Sequence, residues 1–174
     1  MNRAHLMTML HDDVVQLNSC PEVGVSAVEN RFLVNVEVVI VRENRFLMIE
    51  RGHGEEFGSG WLCMPGGTVD WDIPVEDVLE VTARREVIEE VGLSLDAAMA
   101  YVESHTFDAG GPVLDVVLLA RLADSAADPY VASPDEVASV EWMTLAEIIA
   151  DERVQPWTKE SLRRAEKLRK MLNW

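Results

Sequence analysis

Cysteine and positive charge are both scarce in this chain. Only Cys20 and Cys63 occur among 174 residues. They have no metal-ligand spacing and give no disulfide framework, so a reduced, cytoplasmic setting is expected rather than a secreted one. Lysine and arginine number 15 against 31 acids, a formal net charge of −16. That balance argues against nucleic acid or an anionic membrane surface as the main partner. Long apolar runs are missing too: no window approaches the roughly 18 apolar residues of a membrane span. Charges also interrupt the first residues too early for a signal peptide. No repeat or low-complexity tract occurs. What is present is 48% hydrophobic and 26% charged residues, ordinary for a soluble domain with a sizeable core.

Residues 4–17 have helix-forming composition with apolar spacing at Leu6, Leu10, Val14 and Leu17, which predicts a short amphipathic helix. It offers either a homodimer contact or a surface that packs on its own domain. Residues 32–41 are rich in β-branched side chains and read as a core strand, with residues 45–51 as hairpin partner. Arg51, at that strand's end, is placed to reach a phosphate. A glycine-rich loop follows over residues 52–60, then a short strand at 61–64 and a Pro65-Gly66-Gly67 turn. Residues 101–107 and 113–122 read as a hairpin around Gly110-Gly111-Pro112, and residues 136–143 alternate like a half-buried strand. Thr144 and Glu147 form a capping box for a short helix, and residues 158–172 form a basic amphipathic helix. With little βαβ alternation, an α+β architecture is expected.

Everything turns on residues 65–93. Their tail, Arg85-Glu86-Val87-Ile88-Glu89-Glu90-Val91-Gly92-Leu93, gathers three carboxylates and an arginine ahead of a helix-ending glycine. Over a helix at 75–91, Glu86, Glu89 and Glu90 fall within an arc of roughly 100°, with Val81, Val87, Ile88 and Val91 opposite. Asp72 is the expected cap, with Pro74 in the first turn. Acids on adjacent turns repel, and a divalent cation held by hard oxygen ligands is the natural compensation. Metal ions also let an acidic protein bind a phosphorylated ligand.

This tail resembles the signature of the Nudix hydrolases, G-x5-E-x7-R-E-U-x-E-E-x-G-U with U a bulky aliphatic residue. Arg85, Glu86, Val87, Glu89, Glu90, Gly92 and Leu93 meet its C-terminal half. The flanking Gly-Trp-x-x-x-Pro-Gly-Gly and Asp-Glu-Val…Trp-x-x-x-x-Glu-Ile runs agree, and the resemblance spans about residues 32–150. The first half departs: Asp77 stands where the pattern has glutamate and Trp71 where it has glycine. Gly67 is the natural replacement glycine, which implies an insertion of about four residues before Asp77.

The resemblance implies a mixed β-sheet sandwiched between helices over residues 32–174, after an N-terminal extension, 1–31. It implies Mg²⁺, or Mn²⁺ in its place, held by Glu86, Glu89 and Glu90 with the Gly67 backbone, and Arg85 orienting a glutamate. The catalytic set is then Glu90, Glu86 and Arg85, with Glu136 preferred over Glu103 and Asp135 as general base. Trp71 and Arg51 are expected to contact the substrate, a small nucleotide, and Phe57, Trp61 and Tyr130 are further candidates to stack on its base. Cleavage of a nucleoside diphosphate linked to another group, of ADP-ribose or nucleotide-sugar type, is the favoured activity. A nucleoside triphosphate pyrophosphohydrolase and a non-catalytic nucleotide-binding regulatory module are the alternatives.

Overall fold

The computed structural model describes residues 32–54, 57–70 and 75–174. The expected N-terminal helix, Cys20, Trp71, Asp72 and Pro74 lie outside the described residues. β-branched side chains extend β1 (Leu33–Arg42), which turns through Glu43 and Asn44, both at positive φ, into β2 (Arg45–Arg51). Next come β3 (Leu62–Cys63), β4 (Gly66–Thr68), α1 (Val78–Val91), β5 (Leu95–Asp108), β6 (Pro112–Leu122), β7 (Val137–Thr144), α2 (Leu145–Ala150) and α3 (Pro156–Leu172). The seven strands form one mixed sheet. β1 runs parallel to β6 and antiparallel to β2 and β4, while β2 pairs antiparallel with β3 and β7.

Alternation along the strands divides the core between the two faces. Val36, Val38, Ile40, Leu47 and Ile49 pack with Ala83, Val87 and Val91 of α1. Val39, Phe46, Met48, Val117 and Leu119 pack with Ile148 of α2 and with Leu162 and Ala165 of α3. The expected α+β sandwich is therefore what forms. The capping box is also present: Thr144 Oγ1 accepts from the Glu147 N–H, and the Glu147 carboxylate accepts from the Thr144 N–H at 2.7 Å.

Three local expectations are corrected. The glycine pair is a strand rather than a turn: Gly66 and Gly67 pair with Glu37 and Val36. A side chain at Gly66 would overlap the Val36 carbonyl oxygen, so only glycine lets β4 approach β1 this closely. Gly66→Ala is expected to cost about 1–3 kcal/mol, as overpacking does; urea denaturation measures it, and an unchanged midpoint would contradict the close approach.

The second correction concerns α1, which starts at Val78 rather than at 75. Asp77 is its N-cap in the left-handed region, without a side-chain capping bond. The third is its orientation. Val81 and Ile88 are 41% and 51% exposed, whereas Thr82, Ala83, Glu86, Val87, Glu90 and Val91 are buried. The helix has turned Glu86 and Glu90 inward along with half of its apolar stripe, because β4 offers Glu90 a backbone donor and leaves space above Gly67 for Glu86.

Candidate active site

The inward acids of α1 meet β4 in a cavity of roughly 300 Å³. It is lined by Glu86, Glu90 and Glu136, by Gly66, Gly67 and Thr68, and by Asn35, Glu37 and Arg51. Glu90 Oε2 accepts from the Gly66 N–H at 2.9 Å. The Glu86 carboxylate lies where a Gly67 side chain would begin. Arg85 ties the helix to the strand: it donates to the Thr68 carbonyl at 2.9 Å and pairs with Glu86 at 2.8 Å, Glu89 at 3.1 Å and Asp70 at 3.4 Å. Burial disfavours its charge, but these carboxylates outweigh that and raise its pKa.

Sequence-predicted residues thus separate. Glu86, Glu90, Gly67, Arg51 and Glu136 come together at the cavity. Glu89 is exposed, and its carboxylate holds Arg85 instead of facing the cavity. Glu136 arrives from the loop before β7, and its carbonyl accepts from the Gly52 N–H at 2.7 Å. That loop is anchored on the end of α1, where Tyr130 and Ala132 donate to the Val91 and Glu90 carbonyls. Glu103 instead pairs with Arg164 of α3 at 2.7 Å, and neither it nor Asp135 lines the cavity.

The electrostatics are unfavourable as they stand. Glu90 is 5% exposed; burial, reinforced by Glu86 and Glu136, pushes its pKa up to about 8 against the Gly66 hydrogen bond and Arg51. Burial also raises Glu86, with Glu89 and Glu136 adding to it and Arg85 opposing. Among the described residues no ready-made group of three or more His, Cys, Asp or Glu side chains is positioned as a metal cluster. The donor chemistry nonetheless fits a hard divalent cation: two inward carboxylates that repel each other, a third acid at the rim and exposed backbone at the glycine pair. Glu86 and Glu90 would hold it, with the Gly67 backbone beside them.

Glu90 makes stability depend on pH. Unfolded glutamate titrates near about 4.3, below its folded value of about 8. Its contribution to stability is therefore fully present below the unfolded value and is lost as pH rises through the folded one. Without added metal, Tm should fall between about pH 5 and pH 8 by more in the wild type than in Glu90→Gln. Parallel Tm–pH curves for the two proteins would contradict this.

A second cavity, of roughly 200 Å³, opens on the α3 face of the sheet and shares Asn35, Glu37, Arg51, Cys63 and Thr68 with the first. Its walls are aromatic. Phe57 stacks on Phe107 at 5.7 Å and meets Trp61 edge-on at 5.3 Å, and Trp61 meets Trp157 at 5.8 Å. Arg51 Nε donates to the Phe57 carbonyl at 3.0 Å. Asn35, Glu37, His105 and Asp115 are polar residues that reasoning from the sequence missed. The available signal was an acid inside an otherwise apolar run, Glu37 in β1 and Asp115 in β6. Burial, then the neighbouring Asp115 charge, raises Glu37 well above the usual carboxylate range; burial raises Asp115 as well, against its hydrogen bonds with Asn35 and Glu37. Burial, then the Glu37 charge, likewise pushes the Cys63 thiol up. No described helix is long and apolar enough to cross a membrane.

Comparison with known proteins gives a consistent picture. The model for the NUDIX domain matches residues 31–165. A crystal structure of a MutT NUDIX hydrolase from Burkholderia pseudomallei is 28% identical, with a TM-score of 0.64 over 77% of this chain and 98% of that one. The MutT protein from Methanosarcina mazei Go1, 21% identical, has a TM-score of 0.65 over 83% of this chain and 99% of that one. The NUDIX domain of Shewanella oneidensis NrtR, solved with ADP ribose, is 20% identical with a TM-score of 0.61 over 99% of each chain. Among curated proteins, no relative matches.

Proposed function

This chain belongs to the Nudix family and is a Nudix-type pyrophosphohydrolase, and from that premise we propose that it cleaves the diphosphate linkage of a nucleoside diphosphate joined to another group, ADP-ribose or a nucleotide sugar. The observation that carries this reading is the junction of the two cavities. An acid-lined space suited to a cation and a diphosphate shares Asn35, Glu37, Arg51, Cys63 and Thr68 with an aromatic space suited to a planar ring. The ADP ribose bound by the structurally similar NrtR domain is compatible with such a substrate.

In this reading Glu86 and Glu90 would hold Mg²⁺ or Mn²⁺. The ion supplies charge neutralisation of the diphosphate oxygens and a lowered pKa of bound water. Arg85 fixes Glu86 through their ion pair and fixes β4 through the Thr68 carbonyl. Glu136 stands at the cavity rim, where its carboxylate can take the proton of an attacking water. Arg51 lines both cavities and offers its guanidinium to a phosphate oxygen between them.

The test is a panel of ADP-ribose, nucleotide sugars and nucleoside triphosphates, incubated with Mg²⁺, Mn²⁺ or EDTA. Metal-dependent release of a nucleoside monophosphate from the diphosphate-linked members is expected. Inorganic pyrophosphate released from triphosphates alone would instead identify a nucleoside triphosphate pyrophosphohydrolase. Binding without turnover of any member would defeat the proposed reaction.

A further inference from the structure

Three neighbouring strands place polar side chains on a single rung of the sheet. Asn35 of β1 lies opposite Asp115 of β6, which in turn lies opposite His105 of β5. The next rung on the same face is apolar: Leu33, Val113 and Phe107. Both rungs line the smaller cavity, whose far side is the aromatic wall. Its roughly 200 Å³ is too little for a whole drug-sized ligand, whose pockets run from about 300 Å³ upward. It can take one part of a larger molecule, the rest lying in the adjoining acid cavity.

We propose that this space takes the base of the substrate, stacked against the aromatic wall, and that Asp115 selects a base carrying an exocyclic amino group. Asp115 is 2% exposed and accepts from Asn35 Nδ2 at 2.7 Å. Its other oxygen lies 3.8 Å from His105 Nε2, beyond hydrogen-bond reach. A carboxylate has about four lone-pair sites, so acceptor capacity remains after the Asn35 bond and the one shared with Glu37. Such a group attracts the N–H of an amino substituent and repels the carbonyl oxygen that replaces it in uracil and hypoxanthine. Phe57, Trp61 and Trp157 supply ring faces, and base–aromatic stacking is tolerant of base identity. Discrimination therefore falls to the polar rung. This inference rests on the nucleotide reading above, but it concerns binding and does not need turnover.

The experiment measures binding of 5′-monophosphates by calorimetry and by quenching of tryptophan fluorescence, with Mg²⁺ present. CMP is compared with UMP, AMP with IMP, and ribose 5-phosphate serves as the baseless control. The amino-bearing member of each pair should bind about ten- to a hundredfold more tightly, the range for a hydrogen bond to a charged group. All four nucleotides should bind more tightly than ribose 5-phosphate. Asp115→Asn should bring both ratios toward one, and Phe107→Ala should weaken every nucleotide without affecting ribose 5-phosphate. Equal affinity within both pairs in the wild type would overturn the proposal, and that comparison needs no variant to fold. If Asp115→Asn only lowers stability and leaves the ratios intact, the rung is structural and the proposal fails. Base selectivity without hydrolysis would sink the enzymatic reading alone, whereas hydrolysis without selectivity would sink this one alone.

Discussion

Glu90→Gln is expected to lower metal-dependent hydrolysis on the order of 10²–10³-fold, the range seen when a group that stabilises transition-state charge is removed. The substitution keeps the side chain's shape and leaves an oxygen to accept from the Gly66 N–H, so the β4–α1 contact survives. What it removes is one of the two inward negative charges that a cation would neutralise. Because burial pushes the Glu90 pKa up to about 8, the variant should fold at least as well as the wild type at neutral pH. Steady-state rates and Tm measured on the same preparations check both halves. A fully active variant would remove Glu90 from the cation site, and a variant of low Tm would reduce the rate loss to misfolding.

Gly67→Ala carries the other large effect. A methyl group there would overlap the Glu86 carboxylate, so that side chain must leave its position against β4. Glu86 is only 9% exposed and is held by Arg85 at 2.8 Å. Its displacement breaks that ion pair and opens the site on the cation's side. Activity should fall about 10²-fold, in line with the cost of a roughly 1 Å misplacement at a reacting centre. Stability should change little, since the flexible end of a side chain yields rather than backbone. Apparent affinity for Mg²⁺, read from the metal dependence of the rate, should weaken alongside. Unchanged metal dependence would show that Glu86 does not hold the ion. Gly66→Ala is the contrasting case, because its methyl meets the Val36 backbone and the cost appears in folding.

The contrast between these neighbouring glycines shows where reading from sequence stops. The pattern from Arg85 to Leu93 identified the helix, its ending at Gly92 and the place of Glu86, Glu89 and Glu90 along it, because each is set by local spacing. It did not give the helix's orientation. By periodicity Val81 and Ile88 belong to an apolar stripe, yet both face outward. Their burial was displaced by Glu86 and Glu90, whose partners sit on a strand some twenty residues away. That strand itself was hidden, since paired glycines signal a turn as readily as a close backbone pairing.

The aromatic cavity was less legible still. Phe57, Trp61, Phe107 and Trp157 come from a loop, a strand approach, a strand end and a helix start, and no spacing links them. Register alone aligns Asn35, Asp115 and His105 across three strands. A closer reading of the β-branched runs around Glu37 and Asp115 would have flagged them, since an acid in a core strand requires a partner. Their mutual hydrogen bond supplies it.

The central claim is that water attacks a diphosphate beside the Glu86–Glu90 cavity in a metal-dependent step. Hydrolysis of ADP-ribose, or of the nucleotide sugar cleaved best, in ¹⁸O-enriched water tests this directly by mass spectrometry of the products. A single ¹⁸O should appear in one of the two phosphate products with Mg²⁺ present. Release should stop in EDTA and drop sharply in Glu90→Gln. Products without label, or equal release in EDTA, would contradict the account.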